Sequence, residues 1–240
     1  MSYCFISDLH LQEDRPDITE AFLNFLDETA SKSEKLYILG DLFEAWIGDD
    51  LKNDFIKEIR HALKETNKTT EIFIMHGNRD FLIGPEFATS SGTKLISDPY
   101  IEEMFGKSVL LMHGDLLCTA DVNYQSFRKT SRDKKWQKEF LSKPLKERQK
   151  IAKDLRDISK KATNQKKAEI MDVTPSEVLN TMERTSVNLL IHGHTHRPDS
   201  HDIQINNQPA KRLVLGDWDQ YGWYIWMDSD SCELNRFSIS

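Results

Sequence analysis

Leu36-Tyr37-Ile38-Leu39-Gly40-Asp41 joins four apolar residues to a glycine and a carboxylate. An apolar run of this length, closed by glycine, reads as a buried strand whose end presents an acid. The same pattern recurs outward from it. Tyr3–Ser7 runs into Asp8-Leu9-His10, and Ile72–Met75 into His76-Gly77-Asn78-Arg79-Asp80. Val109–Met112 runs into His113-Gly114-Asp115, and Leu189–Ile191 into His192-Gly193-His194-Thr195-His196. Leu213–Leu215 and Tyr224–Met227 are further strand-like runs. Amphipathic helices separate the early ones: Ile18, Ala21, Phe22, Phe25 and Leu26 share one face, and Phe55, Ile56, Ile59 and Leu63 another. Thr174-Pro175-Ser176-Glu177 has the form of a capping box with proline at the first helical position. Strands alternating with helices predict an α/β fold. Only turns separate the last runs, so that part of the sheet should be antiparallel.

Length and composition set the frame. A chain of 240 residues, 38% hydrophobic and 30% charged, fits one domain of 1–240 with its own core. Its longest apolar runs fall far short of the roughly 18 residues of a spanning helix, and no secretory signal opens the chain. Cys4, Cys118 and Cys232 are odd in number and widely spaced, which suggests a reducing compartment, with the cytoplasm as default. The net charge of −7 hides two regions. Residues 128–167 hold 16 Lys/Arg and 5 Asp/Glu, a local +11, while the rest of the chain carries −18. A charge run is usually a solvated helical face. Here Trp136, Phe140, Leu141 and Leu145 are interleaved with it, and Ile151, Leu155 and Ile158 fall on one helical face. Basic and apolar residues mixed in this way suit an anionic bilayer surface or an amphiphilic ligand better than nucleic acid. The region of about 121–167 thus reads as a helical insertion that interrupts the alternation.

Ligand sites in open α/β sheets form at the carboxyl ends of strands. The five clusters converging there offer carboxylates, imidazoles and an amide, a donor set suited to Mn²⁺, Fe²⁺ or Zn²⁺. They are too many for one ion. Two ions about 3.5–4 Å apart would use them, clamp a phosphoryl group and acidify a bound water. Each element alone is weak, since a lone histidine near a strand is more often structural. All five in order are hard to assign to chance. His61 lies off the apolar face of its helix, His76 and His192 belong to strand ends, and His201 reads as part of a polar loop.

The series Asp8-x-His10, Gly40-Asp41, Gly77-Asn78, His113-Gly114 and Gly193-His194-x-His196 resembles the calcineurin-like metallophosphoesterase superfamily. The resemblance implies a four-layer β-sandwich flanked by helices, with a helical cap insertion and a dinuclear centre. It implies that Asp8, His10, Asp41 and His196 hold one ion, and Asp41, Asn78, His113 and His194 the other, Asp41 bridging. Many members carry histidine after the Gly-Asn pair, where it helps the leaving group depart; this chain has Arg79. Arginine does not give up a proton near neutrality, but it holds phosphate bidentately. That favours a leaving group needing no protonation, such as the phosphate of a diphosphate.

Residues 36–50, 76–82, 113–119 and 191–198 resemble more narrowly the branch of this superfamily that hydrolyses UDP-linked diacylglucosamine in lipid A biosynthesis. That resemblance implies water attack on the α-phosphorus, Mn²⁺ as the usual metal, and Asp41, Asn78, Arg79 and His113 as catalytic residues. It implies substrate contacts at Asn78, Arg79, Asp121, Ser159, Thr163, Lys166 and His194. The branch often has asparagine where Thr163 stands, so that contact can instead fall to Asn164. Exposing acyl chains to water costs about 0.8 kcal/mol per methylene. The insertion would shelter them, and the protein would lie peripherally on the cytoplasmic face of the inner membrane. No nucleic-acid partner and no obligate protein partner is expected. Two alternatives compete: a phosphoesterase for another diphosphate, such as a dinucleoside polyphosphate, or a nuclease; and a phosphoesterase fold kept as a scaffold. The apolar stripe argues against the first and the seven filled ligand positions against the second. A third reading, a bilayer-binding module, would bind vesicles without turnover.

Overall fold

The computed structural model describes residues 1–165 and 172–239. Eleven strands and seven α-helices are present among them. One sheet has the order β11-β10-β1-β2-β3-β4, from Cys232–Ser238, Tyr221–Met227, Tyr3–Ile6, Lys35–Leu39, Glu71–Met75 and Lys94–Ile96. The other has the order β5-β6-β7-β9-β8, from Tyr100–Met104, Lys107–Met112, Leu189–His192, Gln208–Val214 and Asp199–Ile205. β1 to β4 are parallel, as are β6, β7 and β9; β10 runs antiparallel to β1 and β5 antiparallel to β6.

Strand periodicity divides the core into layers. Tyr3, Phe5, Tyr37, Leu39, Phe73 and Met75 of the first sheet meet Val109, Leu111, Ile191 and Leu213 of the second. The alternate residues Cys4, Ile6, Leu36, Ile38, Ile72 and Ile74 face helices α1 (Pro16–Glu28), α2 (Asp54–Thr66) and α3 (Pro85–Ser91). Leu110, Met112 and Leu190 face α7 (Pro175–Thr185) through Val178 and Met182. The order is therefore helix, sheet, sheet, helix. Strands covered on both faces read as continuous apolar runs, which is why five of them are plain in the sequence.

Helices α4 (Val122–Ser131), α5 (Lys134–Leu141) and α6 (Leu145–Gln165) follow β6 in the chain and precede α7. Asp121 and Asp133 cap α4 and α5, their carboxylates accepting the N–H groups of Tyr124 (3.1 Å) and Trp136 (2.9 Å). Arg148, 3% exposed, ties α6 to the loop after β2 through the Ile47 carbonyl and the Asp50 carboxylate. No described helix is long and apolar enough to cross a membrane.

Three features differ from expectation. The runs Leu213–Leu215 and Tyr224–Met227 do not pair with each other: β9 lies parallel to β7 in one sheet, and β10 lies in the other, antiparallel to β1 and β11. Thr174 does not form the capping box; its hydroxyl accepts from Thr119 Oγ1 at 2.7 Å, and Glu177 bonds Thr181 and Arg184 instead. Proline at the first helical position starts α7 without that bond. His201 is not in a loop but in β8, an edge strand whose outward residues are polar enough to hide the β pattern.

Candidate active site

The five polar clusters follow β1, β2, β3, β6 and β7, so two sheets contribute to one crevice. The loops after β1 and β2 run side by side: Asp8 N–H donates to the Gly40 carbonyl (3.1 Å) and His10 N–H to that of Asp41 (3.0 Å). The fully buried Trp218 adds its N–H to the Asp8 carbonyl at 3.0 Å. Asp8, His10, Asp41, His194 and His196 all have positive φ, from 51° to 70°. Left-handed backbone in non-glycine residues costs on the order of 1–3 kcal/mol each and concentrates at functional sites. Gly77 and Gly193 make the close approach possible. A Cβ on Gly77 would lie 2.1 Å from Asp41 Oδ1, and one on Gly193 2.2 Å from Asp8 Oδ2.

The side chains meet as the sequence suggests. Asp8, His10 and His196 place ligand atoms within 4.8 Å of one another, and so do Asp8, Asp41 and His113. His10 Nε2 and His196 Nε2 are 3.4 Å apart. Asp41 looks both ways: Oδ2 lies 3.9 Å from His10 Nε2, and Oδ1 3.9 Å from His113 Nε2. Asn78 Oδ1 lies 3.0 Å from His113 Nε2 and 2.9 Å from His194 Nδ1. Asp8 is fully buried, yet its Oδ1 has no hydrogen-bond partner. Its other oxygen, Oδ2, accepts from Ser7 Oγ and the His194 N–H, which leaves Oδ1 facing the imidazoles, 3.5 Å from His196 Nε2. Oxygen and imidazole donors with no thiolate fit divalent metal ions.

Electrostatics agree with a site built for cations. Burial would raise Asp8, but His196, His113 and His10 outweigh it and hold the carboxyl far below the usual range. Burial raises Asp41. Burial opposes the cationic form of His113, yet Asp41, Asp115, Asp8 and Asp98 push it up to about 9. His196 rises to about 10 against its burial, through Asp217 and Asp8. Burial, reinforced by His113, lowers His194 to about 3. Without metal, His113 and His196 thus hold protons that neutralise the carboxylates.

Several residues that support the site carry no separate signal in the sequence. Asp80, 0% exposed, accepts from Leu42 N–H and Gly77 N–H at 2.8 Å each, joining the loops after β2 and β3. Ser7 Oγ lies 2.7 Å from Asp8 Oδ2. Asp217 Oδ2 lies 3.4 Å from His196 Nδ1, and Glu44 Oε2 lies 2.8 Å from His10 Nδ1. Despite burial, the Glu44 carboxyl is lowered to about 2 by His10, Arg79 and Arg156. Buried Asp115 receives Arg128 Nε at 2.8 Å and the Tyr124 hydroxyl, fixing α4 beside His194. The signal available for such residues is that buried carboxylates are paired, but the partners come from distant loops.

A cavity of about 260 Å³ opens beside the cluster, under α4, α5 and α6. Asn78 and Arg79 form its polar end, and Trp46, Phe81, Phe127, Trp136, Phe140 and Leu155 its apolar wall. Arg79 N–H donates to Asp41 Oδ1 at 2.8 Å, while its buried Nε has no partner. Ser159 lines the cavity; Asp121 caps α4 and is not among the lining residues. Ile158, at the same wall, is 64% exposed. The Thr163 and Asn164 side chains and the whole of Lys166 lie outside the described residues.

Comparison with known proteins places the chain in a family. Residues 1–198 match the calcineurin-like phosphoesterase family. A "UDP-2,3-diacylglucosamine hydrolase" of Marinobacter nauticus is 55% identical over 227 residues, 94% of this chain and 93% of that one. One of Pseudomonas aeruginosa is 50% identical over 240 residues, the full length of both. A solved archaeal phosphodiesterase shares the fold, with a TM-score of 0.51 at 14% identity over 99% of each chain. Family match and identity over the length of the relatives agree: the chain belongs to the calcineurin-like phosphoesterases, and among them to the UDP-2,3-diacylglucosamine hydrolases.

Proposed function

We propose that this chain hydrolyses the diphosphate of UDP-2,3-diacylglucosamine, giving UMP and 2,3-diacylglucosamine 1-phosphate, a step of lipid A biosynthesis. The observation that carries the reading is the apolar cavity whose polar end is Asn78 and Arg79. Such a chamber takes acyl chains while the diphosphate faces the cluster. Asp8, His10, Asp41 and His196 would hold one divalent ion and Asp41, Asn78, His113 and His194 the other, most plainly Mn²⁺. When bound, such ions offset the carboxylate charge, bind diphosphate oxygens and make water a better nucleophile near neutrality.

The chain's own residues do the rest. Asp80, Ser7 and the left-handed loops fix the ligand atoms before substrate arrives. The unpartnered Arg79 Nε is a donor waiting for a phosphate oxygen. Water attacks the α-phosphorus, the bond to the bridging oxygen breaks, a proton of that water passes to solvent, and the lipid 1-phosphate departs as an anion. Its charge is the charge that Arg79 stabilises. Residues 121–167 act as a cap inserted in a single domain. Further substrate contacts would fall to Asp121, Ser159, Thr163 or Asn164, Lys166 and His194. The Lys/Arg excess of 128–167 rests on anionic lipid, placing the protein on the inner membrane's cytoplasmic face.

Hydrolysis in ¹⁸O-labelled water tests the reaction. The label should enter UMP and not the lipid 1-phosphate. Label in the lipid product, or no release of UMP, would overturn the proposal.

A further inference from the structure

Glu44 lies between the ion cluster and the cap, and each of its oxygens faces one of them. Oε2 is 2.8 Å from His10 Nδ1, the ring nitrogen turned away from the cluster. That nitrogen is buried and has no aligned hydrogen-bond partner, so Glu44 is the acceptor a small ring rotation would bring into line. Oε1 receives Arg156 Nη2 from α6. The Glu44 side chain is only 14% exposed, so water competes weakly for either oxygen. Arg156 and Glu44 both line the apolar chamber. Arg148 already ties α6 to the loop after β2 two turns nearer its start. The Arg156 contact therefore does something besides anchoring that end: it reaches a residue that touches a ligand of the ion cluster.

We propose that Glu44 is a positioning residue that links the cap to the ion site, so that the placement of α6 and the ion affinity at His10 depend on each other. A carboxylate behind a metal-ligating histidine fixes its tautomer and ring orientation, and removing one typically weakens metal binding roughly 10–100-fold. Here that carboxylate is also held from the far side by a cap residue. Whatever holds α6 in place, acyl chains in the chamber included, holds Glu44 toward His10. By reciprocity of coupled equilibria, an ion at His10 also holds α6. The inference rests on the reading of His10 as an ion ligand.

The test is Mn²⁺ affinity, measured by chelator competition on the full chain. Wild type is compared with Glu44→Ala, Glu44→Gln, Arg156→Met, the Glu44→Ala/Arg156→Met pair and His10→Ala. Glu44→Ala should weaken one ion roughly 10–100-fold and leave the second unchanged, which also shows that the variant is folded. Glu44→Gln keeps the shape and should weaken the same ion by less. Arg156→Met should weaken that ion in the wild-type background and have no further effect beside Glu44→Ala. The coupling is overturned by an Arg156→Met effect that is absent from wild type, or equal in both backgrounds. The positioning role is overturned if both Glu44 variants bind like wild type while His10→Ala loses an ion. If His10→Ala itself binds two ions with wild-type affinity, the ligand assignment fails instead.

Discussion

Asp80 offers a quantitative test of how the site is held together. Its side chain is fully buried, and its two oxygens accept Leu42 N–H and Gly77 N–H, each at 2.8 Å. The first donor follows Asp41 and the second precedes Asn78, so one carboxylate joins two ligand loops. Hydrogen bonds to a charged group contribute about 1.5–3 kcal/mol each, and a buried donor left unmade costs about 1–3. Asp80→Asn keeps one acceptor and turns an NH₂ toward the other N–H, so it should destabilise the fold by about 2–3 kcal/mol. Asp80→Ala strands both donors and should cost about 3–6 kcal/mol by the same arithmetic. Relief of the buried charge sets the loss toward the lower end. The assay is urea unfolding in chelator, comparing midpoints at unchanged slope. In both variants ion affinity should fall as well, since the loops carrying Asp41 and Asn78 are no longer joined. Losses below about 0.5 kcal/mol in both variants would refute the bracing role.

Other substitutions and conditions probe separate parts of the account. Gly193→Ala places a Cβ 2.1 Å from Ser7 Oγ and 2.2 Å from Asp8 Oδ2, so ion binding should drop sharply in metal titration. Arg79→Ala should lower kcat while circular dichroism and metal content hold; a change confined to KM would make Arg79 a uniform binder. Asp41→Asn should impair both ions, since one carboxylate lies between His10 and His113, and elemental analysis would show it. Ion uptake must displace protons from His113 and His196, raised to about 9 and about 10. These raised histidines stabilise the metal-free fold fully below their unfolded value of about 6.5, and that contribution is lost as pH rises through about 9–10. Stabilisation by Mn²⁺ should therefore grow with pH over that window, as melting temperatures with and without metal would show; a flat difference would contradict the proton count.

Much of this architecture is legible in the chain because its central strands are covered on both faces. Leu36–Leu39 and Val109–Met112 read as strands since neither sheet face is wet. β5, β8 and β11 escape such reading: each mixes partly buried with exposed positions and carries polar side chains among them, as in Asp199–Ile205, and each lies at a sheet edge. The cluster of candidate ligands is legible for a similar reason, since each member lies just after a strand. Glu44, Asp80 and Asp217 are not, because their roles exist only where one loop meets another.

The most direct test of the central claim is UMP release by purified protein from UDP-2,3-diacylglucosamine and from unacylated UDP-glucosamine, each with Mn²⁺ and with chelator. Turnover of the acylated substrate alone, abolished by chelator, is expected, because Asn78 lies against His113 and, with Arg79, lines the apolar chamber. Equal turnover of both substrates, or turnover that survives removal of metal, would contradict it.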